Sequence, residues 1–404
     1  MDKRSIKRLL RKSIKPYKLF VQSIYFYICR LFPLQDKVIA TTFKGMKYGD
    51  NPQYILEELR KINGKLDFVW LKQRGYNYDV PLWIRVVPYE LKFKTIFELS
   101  TAKVIIDSHR FKSSIRKRKG QLFIETWHGG VPIKKLETDV PKFRVDKTLI
   151  SEIKTSNKLA DVYISQSDLL SDVYRRAFKY EGPILKCGYP RNDILFKDRN
   201  GIRKDIRKTY GLEENEHILL YAPSFRDSFY ETIDVSFYNV DFDKLHESLC
   251  YRFGGKWTIM VRWHPLFASH IAHEMKIPDN VIDATSYPDM QELMMASDAL
   301  LSDYSSCLFD AALIDIPCFI FATDFEAYKA DRGVYFELDE LPFPHSCDNE
   351  GLAKIVASFD EKEYKENVTR FFDQIGLVET GHAGKDIAER IIQFIDGKTV
   401  GWDN

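Results

Sequence analysis

The sequence LFIETWHGGVPIKK at residues 122–135 joins a short apolar run to a loop that contains paired glycines, a histidine and two lysines. Runs of this kind recur from Lys37 onward, and amphipathic segments separate them. This alternation is typical of parallel strands covered by helices. The chain is therefore predicted to be an α/β protein whose functional loops directly follow its strands.

Twelve apolar runs are candidate strands, and they form two series. The first series comprises Val38–Phe43, Phe68–Leu71, Ile84–Val87, Val104–Asp107, Leu122–Thr126, Val162–Ser165 and Ile184–Cys187. The second comprises Ile218–Ala222, Thr258–Arg262, Val281–Asp283, Ala299–Asp303 and Cys318–Ala322. A charged stretch poor in apolar residues, Lys197 to Glu216, lies between them. We therefore expect two doubly wound, Rossmann-like domains, residues 36–200 and 201–404, that face a cleft.

The composition limits the possible partners and the compartment. The 404 residues carry 60 basic and 58 acidic side chains, and this net charge of +2 lacks the positive excess typical of nucleic-acid-binding proteins. Six cysteines are scattered through the chain with no C-x-x-C pair and no metal-ligand spacing. These features indicate a reducing cytoplasmic compartment and no nucleic-acid partner.

Residues 1–35 form a basic and aromatic segment of their own. Eight lysines and arginines lead into an apolar stretch, Leu19 to Leu34. The stretch contains Gln22 and Arg30, is shorter than the roughly 20 apolar residues of a membrane-spanning helix, and lacks the small-residue cleavage site of a signal peptide. We expect an amphipathic helix that lies on an anionic membrane surface. A solvated basic tail followed by a helix packed on the domain is the alternative.

The loop after Thr126 contains the first candidate catalytic residue, His128. An imidazole at the end of a strand can accept a proton from a substrate hydroxyl, and the backbone at Gly129 and Gly130 can approach a ligand closely. Lys134 adds positive charge suited to anionic oxygens. A histidine packed beside a tryptophan for structural reasons is the competing interpretation.

A second loop, Cys187 to Asp193, also follows a strand directly. Its glycine, proline, asparagine and aspartate are ordinary turn residues, so a purely structural turn is one interpretation. Arg191 is the exception, because a guanidinium at a strand end can hold a phosphate through two parallel hydrogen bonds.

Two loops of the second series carry further candidates. Ser224 and Arg226 follow its first strand, and Arg262 and His264 follow its second. The His264 imidazole could donate a hydrogen bond to a diphosphate or to a departing phosphate, where negative charge develops.

Asp303, Ser305 and Ser306 lie where another strand gives way to a helix. Serine hydroxyls and free backbone N–H groups at such a junction can bind a donor phosphate, while capping of the helix by Ser305 is the alternative. The DFD sequence at 241–243 matches a metal-binding D-x-D pattern but precedes an amphipathic helix, so we interpret it as a helix cap. No protein-bound metal or other cofactor is expected.

The motifs W-H-G-x-x-P, G-Y-P-R-N-D, Y-A-P-S-x-R-D, R-x-H-P and S-D-Y-S-S occur in this order at residues 127–132, 188–193, 221–227, 262–265 and 302–306. In this combination the chain resembles the CDP-glycerol:poly(glycerophosphate) glycerophosphotransferase family, over roughly Val38 to Ile392. The resemblance implies a GT-B fold whose first domain binds the acceptor and whose second domain binds the CDP group, without a metal held by a D-x-D motif. It also implies a part in the synthesis of teichoic acid or a related capsule polymer.

The resemblance also implies roles for individual residues. His128 would deprotonate the acceptor hydroxyl, and His264 would stabilise the diphosphate and the CMP leaving group. The donor would contact a second group of residues: Ser224, Arg226, Arg262, Asp303, Ser305 and Ser306. The acceptor side or the cleft would include a third group: Gly129, Gly130, Lys134, Arg191 and Asp193.

One position departs from the family pattern, because the family usually has a threonine where this chain has Gly130, followed here by an extra residue, Val131. The predicted reaction transfers glycerol phosphate from CDP-glycerol to a hydroxyl of a saccharide linked to polyprenyl diphosphate and releases CMP. The enzyme would act at the cytoplasmic face of a bacterial membrane. The alternatives are a CDP-ribitol or other CDP-polyol phosphotransferase, a GT-B glycosyltransferase or sugar-nucleotide epimerase, and a non-catalytic membrane scaffold.

Overall fold

The computed structural model describes residues 17–112, 114–226, 238–263 and 277–403, and two parallel sheets form its centre. The first sheet has seven strands: β1 Gln35–Thr41, β2 Asp67–Lys72, β3 Arg85–Pro88, β4 Ala102–Asp107, β5 Leu122–Glu125, β6 Val162–Ser165 and β7 Ile184–Lys186. Their spatial order is β3-β2-β1-β4-β5-β6-β7, so the direction of winding reverses between β1 and β4.

The second sheet repeats this topology. It has six strands: β8 His217–Tyr221, β9 Trp257–Val261, β10 Val281–Asp283, β11 Ala299–Ser302, β12 Cys318–Phe321 and β13 His345–Ser346. Their order is β10-β9-β8-β11-β12-β13, with the reversal between β8 and β11. Ligands of such sheets bind beyond the carboxyl ends of the strands, beside the reversal. The predicted α/β class with two doubly wound sheets is confirmed.

Helices cover the faces of both sheets. The first, α1, spans 17–28. The others are α2 Asp50–Ile62, α3 Phe93–Thr101, α4 Lys147–Leu159, α5 Asp168–Arg176, α6 Asn200–Tyr210, α7 Phe242–Phe253, α8 Met290–Ala296, α9 Cys307–Ala312, α10 Phe325–Asp331, α11 Asn349–Ala357, α12 Glu361–Gln374 and α13 Ala383–Ile395. At the start of α7, the Asp241 carboxylate accepts a hydrogen bond of 3.0 Å from the Lys244 backbone nitrogen, which confirms the cap predicted there.

Each sheet has its own apolar core, because both faces of its strands are covered. The loop after β5 leaves the first core and enters the second, where Val131 and Ile133 are fully buried. The extra residue after Gly130 therefore has a packing role. It also follows that His128 lies where the chain passes from one half of the molecule to the other.

The end of the chain returns to the first sheet. Helix α13 buries Ile387 and Ile391 in the core of that sheet, beside Ile55 and Leu59 of α2. The sequence-based division placed this helix in the second domain, 201–404, but its apolar face is complementary to the first. The boundary near residue 200 itself stays a prediction.

Helix α1 and the short turn that follows it pack on the first half through Phe26 and Cys29, which are buried in a cluster on one face of the sheet. Its other side leaves Phe20 and Tyr27 exposed, with 63% and 55% of their surfaces accessible. Within the described ranges, no helix combines the length and apolarity needed to cross a bilayer. Membrane binding by residues 1–35 stays a prediction, and residues 1–16 of that segment lie outside the described part of the chain.

Candidate active site

The first wall of the candidate site consists of the loops that follow β1, β4 and β5. The hydroxyl oxygens of Thr42 and Ser108, which follow β1 and β4, lie 2.5 Å apart. His128 follows β5, and its Nδ1 atom lies 2.8 Å from the carbonyl oxygen of Ser108. A carbonyl oxygen can only accept a hydrogen bond, so we assign the proton to Nδ1 and the lone pair to Nε2.

The His128 imidazole is neutral and half-buried among aromatic rings. The rings of Phe43, Trp127 and His109 have centroids 4.9, 4.4 and 5.8 Å from its own. Burial lowers the pKa of His128 to about 4, although the hydrogen bond to Ser108 opposes the shift. A neutral imidazole with an unprotonated Nε2 has the form required of a general base.

The backbone beside His128 is held in an unusual conformation. Trp127 has a φ of 53°, in the left-handed region that non-glycine residues seldom adopt. The Tyr189 hydroxyl donates a hydrogen bond of 2.9 Å to the Gly129 carbonyl oxygen. The Gly130 N–H donates to Ser306 Oγ of the second half at 3.1 Å. Two predicted site loops, one from each half, are therefore in direct contact.

Arg191 is buried at the junction of the two halves. Its Nη1 donates to Asp50 Oδ1 at 3.1 Å and to the His128 carbonyl oxygen at 2.5 Å. Its Nη2 donates to Asp310 Oδ2 of helix α9 at 3.0 Å. The guanidinium predicted to hold a phosphate thus binds two carboxylates and fixes the backbone that carries the candidate base.

Asp193 lies beside the start of the last helix rather than beside His128. Its Oδ1 and Oδ2 atoms accept hydrogen bonds from the backbone nitrogens of Ala383 and Gly384, at 2.9 and 2.7 Å. Burial raises the pKa of Asp193 to about 6, although these hydrogen bonds oppose the shift. This geometry favours the structural interpretation of the residue, because free N–H groups at a helix start require acceptors.

In the second half, Arg226 belongs to a buried ion network. It donates from Nε and Nη2 to the Asp324 carboxylate at 2.7 and 3.0 Å, and from Nη1 to Asp303 Oδ2 at 2.8 Å. Asp303 Oδ1 in turn accepts a hydrogen bond of 2.8 Å from the Ser224 backbone nitrogen. These three predicted donor-binding residues therefore order the loops that follow β8 and β11.

Arg262 and Ser305 are more exposed than the residues of the Arg226 network. Arg262 is half-buried, and its Nη2 donates to the carbonyl oxygens of Tyr287 and Pro288 at 3.0 and 3.4 Å. Ser305 Oγ accepts a hydrogen bond of 3.3 Å from the Cys307 backbone nitrogen at the start of α9. The N-cap position of α9 is Ser306, whose side chain makes no capping hydrogen bond, so Ser305 is not the cap of this six-residue helix.

Of the two remaining candidates, Lys134 lies within the described residues and His264 does not. The backbone of Lys134 forms a bridge with Val334 of the second half, and its charge reaches His128, whose pKa it lowers slightly. His264 lies outside the described residues, so its predicted role in diphosphate binding stays a prediction.

Sequence reasoning missed several residues that hold the site together. Asp50, Asp310 and Ser108 all support the His128 loop, either directly or through Arg191. Asp50 has a φ of 63°, a conformation that only the structure could reveal. Its place at the start of an amphipathic helix, directly after a strand-end loop, was the signal available in the sequence.

The described residues contain no group of three or more histidine, cysteine, aspartate or glutamate side chains arranged to hold a metal ion. The expectation of a metal-independent site stays a prediction.

A model of the family CDP-Glycerol:Poly(glycerophosphate) glycerophosphotransferase matches residues 23–393. The chain belongs to this family. The match spans both sheets and includes the five motifs, so the family predicted from those motifs is confirmed.

Several teichoic acid enzymes are 21–30% identical to this chain over the aligned residues. A teichoic acid poly(glycerol phosphate) polymerase of Bacillus spizizenii is 29% identical over 92% of this chain and 96% of its own length. A teichoic acid glycerol-phosphate transferase of Staphylococcus aureus is 29% identical over 95% of this chain and its full length. The chain spans only 52% of a similar polymerase from Staphylococcus epidermidis.

Solved structures of teichoic acid enzymes are also similar to this chain. The wall teichoic acid polymerase TagF is 27% identical, with a TM-score of 0.80 over 98% of this chain and 99% of the polymerase chain. A putative UDP-N-acetylglucosamine 2-epimerase from Listeria monocytogenes has a TM-score of 0.53 at 10% identity, which shows likeness of fold alone. The GT-B type of the two-sheet architecture is thereby confirmed.

Proposed function

We propose that the protein transfers glycerol phosphate from CDP-glycerol to a hydroxyl of a lipid-linked acceptor in teichoic acid synthesis and releases CMP. The observation that carries this proposal is the tautomer of His128. Its Nδ1 is bound to the Ser108 carbonyl oxygen, so Nε2 is left to accept a proton at the carboxyl edge of the first sheet. Family membership supports the same reaction class.

The reaction requires one proton transfer and one substitution at phosphorus. His128 Nε2 takes the proton of the acceptor hydroxyl, and the oxygen bonds to the β-phosphorus of the donor. The bond between this phosphorus and the bridging oxygen breaks, and CMP leaves with that oxygen and its electron pair. Phosphoryl transfer of this kind depends mainly on positioning and on neutralisation of charge.

Residues of the second half would neutralise the negative charge that develops on the leaving group. In this proposal Arg262 and His264, with the hydroxyls of Ser305 and Ser306, contact the donor phosphates. Arg226, Asp303 and Ser224 act indirectly, because their mutual hydrogen bonds position the loop that carries these groups. Arg191 similarly positions the His128 backbone.

The proposed reaction needs no metal held by the protein. In the D-x-D sequence at 241–243, Asp241 caps a helix and Asp243 accepts a hydrogen bond of 3.1 Å from Asn280. Turnover measured in excess EDTA should therefore equal turnover in buffer alone. A complete and reversible loss on chelation would contradict this part of the proposal.

The acceptor and the membrane are also proposed partners. Helix α1 exposes Phe20 and Tyr27, aromatic side chains of the kind that enter the interface of a bilayer. Basic residues precede them in the sequence. We therefore propose peripheral attachment at the cytoplasmic face, where a polyprenyl-diphosphate-linked acceptor would lie.

The proposal is tested by measuring CMP release from CDP-glycerol and from CDP-ribitol, with and without a lipid-linked disaccharide acceptor. We expect acceptor-dependent release that is lost in His128→Ala and in His264→Ala. The matched control is His382→Ala, since the His382 side chain is exposed and makes no capping hydrogen bond. Release from CDP-ribitol alone would identify a different polyol, and release from neither donor would contradict the proposal.

A further inference from the structure

Lys47, which the reaction above does not use, lies in the loop after β1 beside the candidate base. Its Nζ atom is 5.1 Å from the centroid of the Phe43 ring. The Phe43 centroid is 4.9 Å from that of His128. The ammonium group and the imidazole therefore both lie beside the Phe43 ring, and the lysine belongs to the same loop cluster as the candidate base.

The Lys47 ammonium group has no anionic partner among the described residues, although the side chain is half-buried. The buried Lys37, by contrast, forms an ion pair of 2.7 Å with Glu98. Burial lowers the pKa of Lys47; the Asp50 charge opposes this shift, the Arg262 charge adds to it, and Asp289 opposes it again. An ammonium group without a direct ion pair is costly to bury, and an anionic ligand would reduce that cost.

Arg262 of the second half lies near enough to Lys47 for its positive charge to lower the pKa of the lysine. Its guanidinium binds the carbonyl oxygens of Tyr287 and Pro288, and the next residue, Asp289, accepts a hydrogen bond of 2.9 Å from the Tyr54 hydroxyl of helix α2. Helix α2 begins three residues after Lys47. The contact between Tyr54 and Asp289 therefore brings the two cations together from different halves of the chain.

Lys47 and Arg262 differ in their ion-pair partners from the two buried arginines of the site. Arg191 is paired with Asp50 and Asp310, and Arg226 is paired with Asp303 and Asp324. No carboxylate of the described residues pairs with Lys47 or Arg262 in this way. Both cations therefore lack a direct ion pair, although Asp289 lies near enough to affect each of them, and their charges can act on a bound polyanion.

We propose that Lys47 and Arg262 bind the diphosphate of the donor nucleotide from opposite walls of the cleft. Arg262 supplies a planar fork and Lys47 a compact point charge. This inference rests on the proposed function, and it gives the first half of the molecule a part in donor binding that the sequence assigned to the second half alone.

Equilibrium binding of CDP-glycerol, CDP and CMP, measured by titration calorimetry, tests this assignment. We expect Lys47→Met to weaken binding of CDP-glycerol and CDP about tenfold or more, because a charge-assisted hydrogen bond is lost. CMP, which lacks the second phosphate, should lose much less. Lys47→Arg should retain most of the affinity. The matched control is Lys44→Met in the same loop, whose exposed side chain should leave binding unchanged.

Several outcomes would overturn the assignment. They are CDP affinity unchanged in Lys47→Met at an unchanged Tm, an equal loss for CMP and CDP, or a loss confined to the KM of the lipid-linked acceptor. Binding requires no turnover, so the inference and the proposed function can fail separately. Wild-type protein that binds CDP through Lys47 but releases no CMP from any polyol donor would contradict only the function.

Discussion

At the scale of single residues, the candidate base is defined by what its two ring nitrogens contact. Nδ1 of His128 is committed to the Ser108 carbonyl oxygen, and that loop is itself fixed by a hydroxyl pair between Ser108 and Thr42. Substitution of the imidazole alone therefore removes a proton acceptor while the surrounding backbone keeps its other contacts. Because the protein itself supplies this carbonyl acceptor, Nδ1 carries its proton whether or not substrate is bound.

The pH dependence of the reaction follows from the lowered pKa of His128. The base must be neutral, and burial holds its pKa at about 4. We expect kcat/KM to stay constant from about pH 8 down to about pH 5. Below the pKa of His128 it should fall tenfold per pH unit. Far-UV circular dichroism at each pH would separate this titration from unfolding. A decline that begins near the ordinary histidine pKa of about 6.5 would contradict the assignment.

At the scale of secondary-structure elements, the strands could be predicted because each is a short apolar run that ends in polar or glycine residues. Twelve of the thirteen described strands were predicted, with ends displaced by at most three residues. The missed strand, His345–Ser346, has two residues and no apolar run. The partners of Arg191 and Asp193 could not be predicted, because Asp310 and Ala383 lie 119 and 190 residues away along the chain. Helix α13 was placed in the second domain for the same reason, because the first-sheet core on which it packs is distant from it in sequence.

The contacts of Asp193 predict a local effect on helix α13. In Asp193→Ala the backbone nitrogens of Ala383 and Gly384 lose their acceptors. We expect a loss of about 1–2 kcal/mol in the free energy of unfolding, with faster amide exchange over 383–395. The control Glu389→Ala, at an exposed position of the same helix, should change stability by less than about 0.5 kcal/mol. Unchanged stability with a raised KM would instead place Asp193 in substrate binding.

At the scale of the whole molecule, two similar sheets are joined by polar contacts around the candidate site. The His128 loop buries Val131 in the second core, and Arg191 binds carboxylates of both halves. Tyr54 and Asp289 make a further contact between the halves. The relative placement of the two walls therefore depends on residues that do not themselves take part in the chemistry.

The ion pair between Arg191 and Asp310 should contribute strongly to this placement. Asp310→Ala leaves a buried guanidinium with only one of its two carboxylates, so we expect unfolding in urea to require about 3–5 kcal/mol less. Removal of an exposed pair through Glu361→Ala should cost no more than about 1 kcal/mol. Equal effects of the two substitutions would show that Arg191 does not bind the halves together.

The most direct test of the central claim is mass spectrometry of a lipid-linked acceptor after incubation with CDP-glycerol. We predict that wild-type protein adds one or more glycerol phosphate units and that His128→Ala adds none, while its binding of CDP stays within about twofold of the wild type. An unmodified acceptor with wild-type protein would contradict the proposed transfer. Full addition by His128→Ala would contradict the assignment of His128 as the base.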